Sequence, residues 1–137
     1  MQTELITDRT SSDVGVTQKG FYNYTDFNRL NSACTELAGL IREISIQPVW
    51  ASTHRTWVMK DYPTLTNTSA WLSDIKAFIN GFYKLYDRTL PVDLSHFDYL
   101  QANEIEKALE DINIIIEDIK EHFIIYADDV YSEEVYI

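Results

Sequence analysis

The chain has few of the residues on which several common classes of protein depend. Its 137 residues include one cysteine, four glycines and three prolines. A single cysteine excludes an internal disulfide framework, and four scattered glycines exclude a glycine-rich phosphate loop and a collagen repeat. Hydrophobic residues make up 45% of the chain and charged residues 24%, and these globular averages exclude wholesale disorder. We therefore expect one folded domain.

Basic residues and long apolar runs are also scarce. Eleven Lys and Arg stand against 22 Asp and Glu, and the net charge of −11 argues against nucleic acid or an anionic lipid surface as a partner. Residues 93–137 hold thirteen of the acids and only two bases, so the last third of the chain carries the whole excess. No apolar run approaches the ~20 residues that cross a bilayer. Residues 1–8 lack the basic start and apolar stretch of a signal peptide. The sequence predicts a protein without membrane insertion that is made in a reducing cytoplasm.

Apolar residues recur at helical spacing in three segments. In the first, residues 27–44, they follow steps of three and four, and Thr25 or Asp26 is the natural N-cap. The second segment runs from about residue 64 to 86 and carries two apolar stripes. Two stripes predict the central and most buried helix.

The third helical segment is the longest. It opens at Ser95, with Asp98 placed for a capping box, and its apolar residues alternate steps of four and three as far as Tyr126. About 30 residues at 1.5 Å each span about 45 Å, against about 27 Å for the first helix, so the C-terminal half should overhang the bundle. Either another part of the chain, such as its N-terminal arm or a connector, or another subunit would cover the apolar face there.

The predicted fold class is all-α. We expect a three-helix bundle with a long C-terminal helix over residues 21–126, an extended N-terminal arm over residues 1–20 and an extended acidic C-terminal tail over residues 127–137. The tail combines carboxylates with β-favouring side chains, which would suit an edge strand added to a basic neighbour. The connector over residues 45–63 is too aromatic for a solvated loop, so we expect it to pack, with a short β element around residues 56–59.

Side chains that perform catalysis or bind metals form no recognised constellation. Asp118 and His122 share a helix face, but one such pair is more typical of a surface contact than of a metal site. Cys34 lies on the apolar stripe of the first helix, which favours a small buried residue over a nucleophile. Glu106 and the other acids of the third helix fit its solvent face. We predict no enzymatic activity, no cofactor and no metal.

Two groups of side chains are candidates for binding. A partner interface is predicted on the C-terminal half of the third helix and on the tail, at Ile116, Ile119, Phe123, Tyr126, Val130, Tyr131, Val135 and Tyr136. The acids of the tail favour a partner with a basic surface. The alternative is a glycan platform at Trp50 and Trp57, because aromatic rings that stack on sugars must be exposed and Trp71 falls on a helical stripe.

Short motifs along the chain add a resemblance to known proteins. They are Asp-Phe-Asn-Arg at 26–29, Asp-Tyr-Pro-Thr at 61–64, Ala-Asn-Glu-Ile-Glu at 102–106 and a tyrosine-bounded stretch at 126–131. As a set, they resemble short helical proteins encoded among the tail and baseplate genes of bacteriophages and prophages of Gram-positive bacteria. The likeness covers residues 21–132. The chain departs from that family where Tyr-Ala-Asp-Asp replaces a Tyr-Ser-Gly-Glu-like turn.

This resemblance implies a non-enzymatic structural or adaptor subunit of a virion tail, a baseplate or a related contractile particle, made in the cytoplasm of the bacterial host. Its partners would be other tail or baseplate proteins, or a second copy of the chain. It implies no ligand residues. Two alternatives stay open: a receptor- or glycan-binding module at the tail tip, and a cytoplasmic helical regulatory protein.

Overall fold

The three predicted helices are present. The computed structural model describes residues 1–17, 20–43, 50, 56–60, 65–82, 88–95 and 97–134, and for residues 65, 66, 82 and 123–134 it describes the backbone alone. The helices are α1 (Tyr24–Glu43), α2 (Leu65–Phe82) and α3 (Tyr99–Glu134). No strand occurs in these described ranges, so the all-α prediction is confirmed. The predicted extension of the second helix over residues 83–86 lies outside the described residues.

A capping box starts α1. The side-chain Oδ1 of Asn23 accepts the N–H of Thr25 at 3.0 Å, and Asp26 Oδ2 accepts the N–H of Asn23 at 2.7 Å. Asn23 is therefore the N-cap, two or three positions before the residues that the sequence suggested. The apolar stripe from Phe27 to Ile41 is buried as predicted.

Asp98 is the N-cap of α3. Its Oδ1 accepts the N–H of Gln101 at 2.9 Å, so the helix begins at Tyr99. The predicted start at Ser95 is wrong because the N–H of Ser95 donates to Asp93 Oδ1 in a separate turn that precedes the helix.

The C-terminal tail differs from the extended segment that the sequence predicts. The backbone over residues 127–134 belongs to α3, and residues 135–137 lie outside the described residues. The alternation of four and three continues through Phe123, Tyr126 and Val130. Adding residues to an existing helix is also easier than nucleating a new element. The 36 residues of α3 are about 54 Å long.

Helices α1 and α3 run in the same direction. Arg29 Nε lies 2.8 Å from Glu106 Oε1 near the start of both helices, and Glu43 at the end of α1 pairs with Lys120. Both pairs are separated by 77 positions in the chain. The two helices therefore stay in register over two heptads, as neighbours with a 3.5-residue repeat do.

Helix α2 follows the same direction. Near its start, Trp71 packs on Phe27 of α1 with ring centroids 4.7 Å apart. One heptad later, Phe78 contacts Trp50, whose indole N–H donates to Thr35 in the middle of α1 at 3.1 Å. Parallel neighbours require the chain to return after each helix, which explains why both connectors are long.

The structure describes residues 50 and 56–60 of the first connector, and its two tryptophans pack on the bundle as predicted. Trp50 and Trp57 are each 4% exposed. The predicted β element at residues 56–59 is absent, because residues 56–58 form no regular element and the chain then turns. The side chain of Asn28 takes the place of a strand partner: Asn28 Oδ1 accepts the N–H of Trp57 at 2.8 Å, and Asn28 Nδ2 donates to the Trp57 carbonyl at 2.7 Å.

The core lies among the three helices and the two connector tryptophans. Its fully buried large side chains are Leu30, Leu37, Ile41, Ile75, Phe78, Ile79, Ile105, Leu109, Ile112 and Ile116. In the part of the chain that the structure describes, no helix combines the length and the apolar character that a membrane span requires.

Candidate functional site

The first ten residues, here called the docked arm, lie along a groove between α1 and α3. The N–H of Thr3 donates to Glu36 in the middle of α1 at 2.9 Å. Three residues later, the N–H of Ile6 donates to Glu106 on α3 at 3.0 Å. The docked arm therefore runs antiparallel to both helices, toward their starts. We call its site, on the facing sides of α1 and α3, the arm groove.

Arg9 anchors the end of the docked arm. Its N–H donates to Asn103 Oδ1 at 3.1 Å, and Asn103 Nδ2 donates to the Arg9 carbonyl at 2.9 Å. The amide of Asn103 thus pairs with both backbone groups of one extended residue, as a neighbouring strand would. The side chain of Arg9 is 2% exposed.

Four charged side chains meet beneath the arm and form what we call the ion cluster. Arg9 Nη2 lies 2.7 Å from Glu106 Oε2 and 3.5 Å from Asp26 Oδ1. Arg29 Nη2 lies 2.7 Å from Asp26 Oδ1, and Arg29 Nε lies 2.8 Å from Glu106 Oε1. Two positive and two negative groups balance. Glu106 is completely buried, so its assignment to a solvent face is wrong.

Electrostatics in the ion cluster favour the charged form of Arg29. Burial alone would lower the pKa of Arg29, but its hydrogen bonds to Glu106 and Asp26 and the attraction of their charges raise that pKa instead. The pKa of the Tyr22 phenol, whose ring lies 5.6 Å from the Arg9 guanidinium, is raised first by burial and then by the same two carboxylates. Since arginine does not release its proton in proteins, the geometry suits structural cohesion rather than proton transfer.

A small cavity opens beside the ion cluster, at the start of α3. Its volume is about 220 Å³, and its walls include Arg9, Tyr22, Phe97 and Tyr99. The buried hydroxyl of Tyr22 has no hydrogen-bond partner among the described residues. This volume is smaller than the ~300–1,000 Å³ of ordinary small-molecule sites.

The C-terminal part of α3, residues 121–134, projects beyond α1, and we call it the projecting half. Because α1 ends at Glu43, beside Lys120, residues 121–134 continue for about 21 Å past that point. Where the projection begins, Ile119 is 37% exposed, and Ile114, on another face of the helix, is 47% exposed.

The structure changes which of the predicted residues can belong to a partner interface. Ile116 is completely buried in the core of its own chain, because α1 still covers α3 at that height, so it is not an interface residue. Ile119 is partly exposed at the edge of the core. The remaining predicted residues lie where the structure describes the backbone alone (Phe123, Tyr126, Val130 and Tyr131) or outside the described residues (Val135 and Tyr136).

The predicted glycan platform is not on the surface. The ring of Trp57 packs against Phe27 with centroids 4.7 Å apart, and that of Trp50 packs against Phe78. Both indoles are buried, so neither presents a face to a sugar. The prediction of exposed aromatics at Trp50 and Trp57 is wrong, because the return of the chain along α1 presses both rings into the core.

Two other candidates from the sequence have structural explanations. Cys34 is fully buried, and this burial raises the pKa of its thiol, which confirms it as a core residue. His122 Nδ1 lies 2.7 Å from the backbone carbonyl of Asp118, so the pair meets through the main chain and not through a shared metal geometry. The described residues contain no group of three metal-ligating side chains.

Comparisons with protein-family models, with curated proteins and with solved structures gave no match for this chain.

Proposed function

We propose that this protein is a non-enzymatic structural or adaptor subunit of a bacteriophage tail or baseplate, or of a related contractile particle, and that it attaches through the projecting half of α3. The observation that carries the proposal is the continuation of α3 for about 21 Å past the end of α1 with its apolar spacing intact. A helix with such a stripe is stable when another surface covers it. The particle context rests on the resemblance of the motifs.

Charge selects the kind of partner. After Lys120 the projecting half carries five acids and neither Lys nor Arg: Glu121, Asp128, Asp129, Glu133 and Glu134. A second copy packed in parallel would bring like charges together, which is destabilising. A neighbouring tail protein with a basic surface would gain attraction and a faster encounter, and both would weaken at high salt. We therefore assign the projecting half to a basic neighbour.

Particle fractionation tests this function. Particles from a producing culture are separated from soluble protein on a density gradient, and the chain is quantified in each fraction. Wild type should co-sediment with particles, whereas Ile119→Asp should stay soluble while keeping its helical circular dichroism. Met59→Asp is the matched control, because Met59 is 80% exposed far from α3 in the chain, and this variant should incorporate normally. Wild type confined to the soluble fractions would refute the proposal.

Truncation tests the projecting half independently. Deleting residues 127–137 removes the end of α3, whose residues 127–134 lie past the end of α1, so the melting temperature of the isolated chain should change little. The same deletion should prevent incorporation into particles. Normal incorporation of the truncated chain would show that attachment does not use this part of α3.

A further inference from the structure

The arm groove recognises an extended backbone. Side chains of α1 and α3 accept main-chain N–H groups of the docked arm, with Glu36 receiving those of Gln2 and Thr3. Glu106 receives the N–H of Ile6, while Asn103 pairs with both backbone groups of Arg9. Main-chain bonds of this kind fix direction and register, and they are how peptide-binding proteins hold extended ligands.

An empty arm groove would carry an unbalanced charge. Without Arg9, two carboxylates would face the single guanidinium of Arg29, at positions where the Asp26 and Glu106 side chains are 4% and 0% exposed. An uncompensated buried charge is strongly destabilising. An occupant must therefore supply an extended backbone together with a cation, and the N-terminal arm of this chain supplies both.

Residues 11–17, which begin the segment that joins the docked arm to α1, form a compact turn. Asp13 organises it: its carboxylate accepts the N–H of Thr10 at 2.9 Å, and its backbone carbonyl accepts the N–H of Thr17 at 3.1 Å. Gly15 has φ +72°, and a Cβ at Gly20 would collide with the Asp13 carbonyl, so both positions need glycine. Opened out, about twelve residues of chain reach up to about 40 Å, several times the ~10–12 Å diameter of a helix.

We propose that the arm groove accepts the arm of a second copy as well as its own, so that neighbouring copies in an assembly exchange arms. An arm makes the same bonds to Glu36, Asn103 and Glu106 whether it docks on its own chain or on a neighbouring copy. The local concentration of neighbouring copies therefore decides which chain it docks on. Exchange of arms between copies requires no contact surface other than the arm groove. The inference is separate from attachment through α3, which concerns a different part of the molecule.

Thiol crosslinking between full-length chains tests the exchange. Thr3 Oγ1 lies 2.6 Å from Glu36 Oε1, and because the Glu36 side chain spans the gap, cysteines at these two positions lie within reach of a short bis-maleimide crosslinker across the arm groove. One chain carries Thr3→Cys and another carries Glu36→Cys, both in a Cys34→Ala background. The two are refolded together at high concentration and treated with the crosslinker. A covalent dimer of unlike chains, well above the yield of like-chain dimers, is expected.

Two controls make the outcome decisive. The double variant Thr3→Cys/Glu36→Cys should form its crosslink within one chain at low concentration, because the arm then docks on its own groove. The pair Glu43→Cys and Lys120→Cys, on separate chains, should give no dimer, because these positions face each other inside one bundle. If the unlike-chain dimer does not exceed that control, arm exchange is refuted. Repeating the experiment with Ile119→Asp chains should leave the dimer yield unchanged, which separates this result from attachment through α3.

Discussion

Arg9 couples the N-terminal arm to two helices at once, because its guanidinium reaches Asp26 on α1 and Glu106 on α3. Replacing Arg9 with Ala should lower the free energy of unfolding by about 3–5 kcal/mol, the usual cost of breaking a buried ion pair. Urea denaturation followed by circular dichroism measures this change. The matched control is Arg42→Ala, an exposed cation on α1, whose effect should stay within about 0.5 kcal/mol. Equal effects of the two substitutions would contradict the role given to the ion cluster.

The connector tryptophans give a second prediction at this scale. Trp57→Ala should cost about 3–5 kcal/mol, because it removes a buried ring from the core. Met59→Ala, two residues away at a side chain that is 80% exposed, should cost almost nothing. Thermal unfolding of both variants measures the difference. A stable Trp57→Ala protein would mean that the indole is not packed, and the glycan-platform hypothesis would then return.

Glu36 makes the docking of the arm depend on pH. Burial raises its pKa, but the Thr3 hydroxyl, the N–H groups of Gln2 and Thr3 and the positive N-terminus together outweigh burial and lower the pKa below 4.5. A lowered pKa in the folded state means that the contribution to stability is present above about pH 4.5 and is lost as the pH falls through the folded value. The arm should therefore loosen in acid.

Amide NMR measures this titration directly. The signals of Gln2 and Thr3 should shift with a midpoint below pH 4.5, and in Glu36→Gln the same signals should no longer follow that titration. A midpoint at or above 4.5 would contradict the bonded carboxylate.

The helical spacing of apolar residues predicts the burial of side chains that follow this spacing. It does not predict the burial of side chains that depart from it. Cys34 and the α1 stripe were predictable, because an apolar residue every three or four positions is buried by any packed helix. Glu106 was not, since its partner Arg9 lies 97 positions earlier in an arm that has no period of its own. The sequence did contain one local sign that another segment packs on this face of α3. Ala102, Asn103 and Glu106 form a row of small and polar residues beside the apolar stripe of the helix.

At the scale of elements, α3 serves two purposes along its length. Its first half is packed against α1, and its second half projects. Ile116 and Ile119 both lie just before this boundary, but the first is completely buried and the second is 37% exposed. Exchanging each for Asp therefore separates a core position from a surface position within one helical turn.

We expect Ile116→Asp and Ile119→Asp to have opposite effects on folding and on attachment. Ile116→Asp places a charge in the core and should abolish the cooperative unfolding transition of the isolated chain. Ile119→Asp should leave that transition within about 1 kcal/mol of wild type and disturb attachment alone. Circular dichroism melts of the isolated variants decide between these outcomes. If Ile119→Asp also unfolded the chain, the second half of α3 would be part of the intramolecular core.

Helix ends were harder to predict than helix existence. The acids after Tyr126 suggest a change of element by composition, yet α3 continues to Glu134. Composition describes the average preference of a segment, whereas propagation of an existing helix requires only that each added residue be tolerated. Asn23 was missed as the N-cap for a related reason: Asn, Thr and Asp are all good caps, and the reciprocal bond from Asp26 selects among them.

At the scale of the whole molecule, three parallel helices explain features that the sequence leaves unconnected. Parallel packing requires long returns, and the first return brings Trp50 and Trp57 into the core. The arm fills the groove between α1 and α3, so it is not the segment that covers the projecting half of α3. Helix direction could not be read from the sequence, because amphipathic stripes look the same in either orientation.

The net charge is unevenly distributed between the first two thirds of the chain and the last third. Residues 1–92 hold nine acids and nine bases, so the excess charge of −11 belongs to α3 and the segment before it. The ion cluster pairs two positive with two negative groups, so the excess charge lies outside it. The proposed function assigns the acids after Lys120 to a basic neighbour, and this is its central claim.

Cryo-electron microscopy of purified tail particles tests that claim most directly. We expect density for three parallel helices of 20, 18 and 36 residues, with residues 121–134 of the longest helix lying against a neighbouring protein rich in Lys and Arg. The residues of that neighbour within about 4 Å of the projecting acids should be mainly basic. Particles that lack this chain, or that hold it with the projecting half of α3 facing solvent in every copy, would contradict the account.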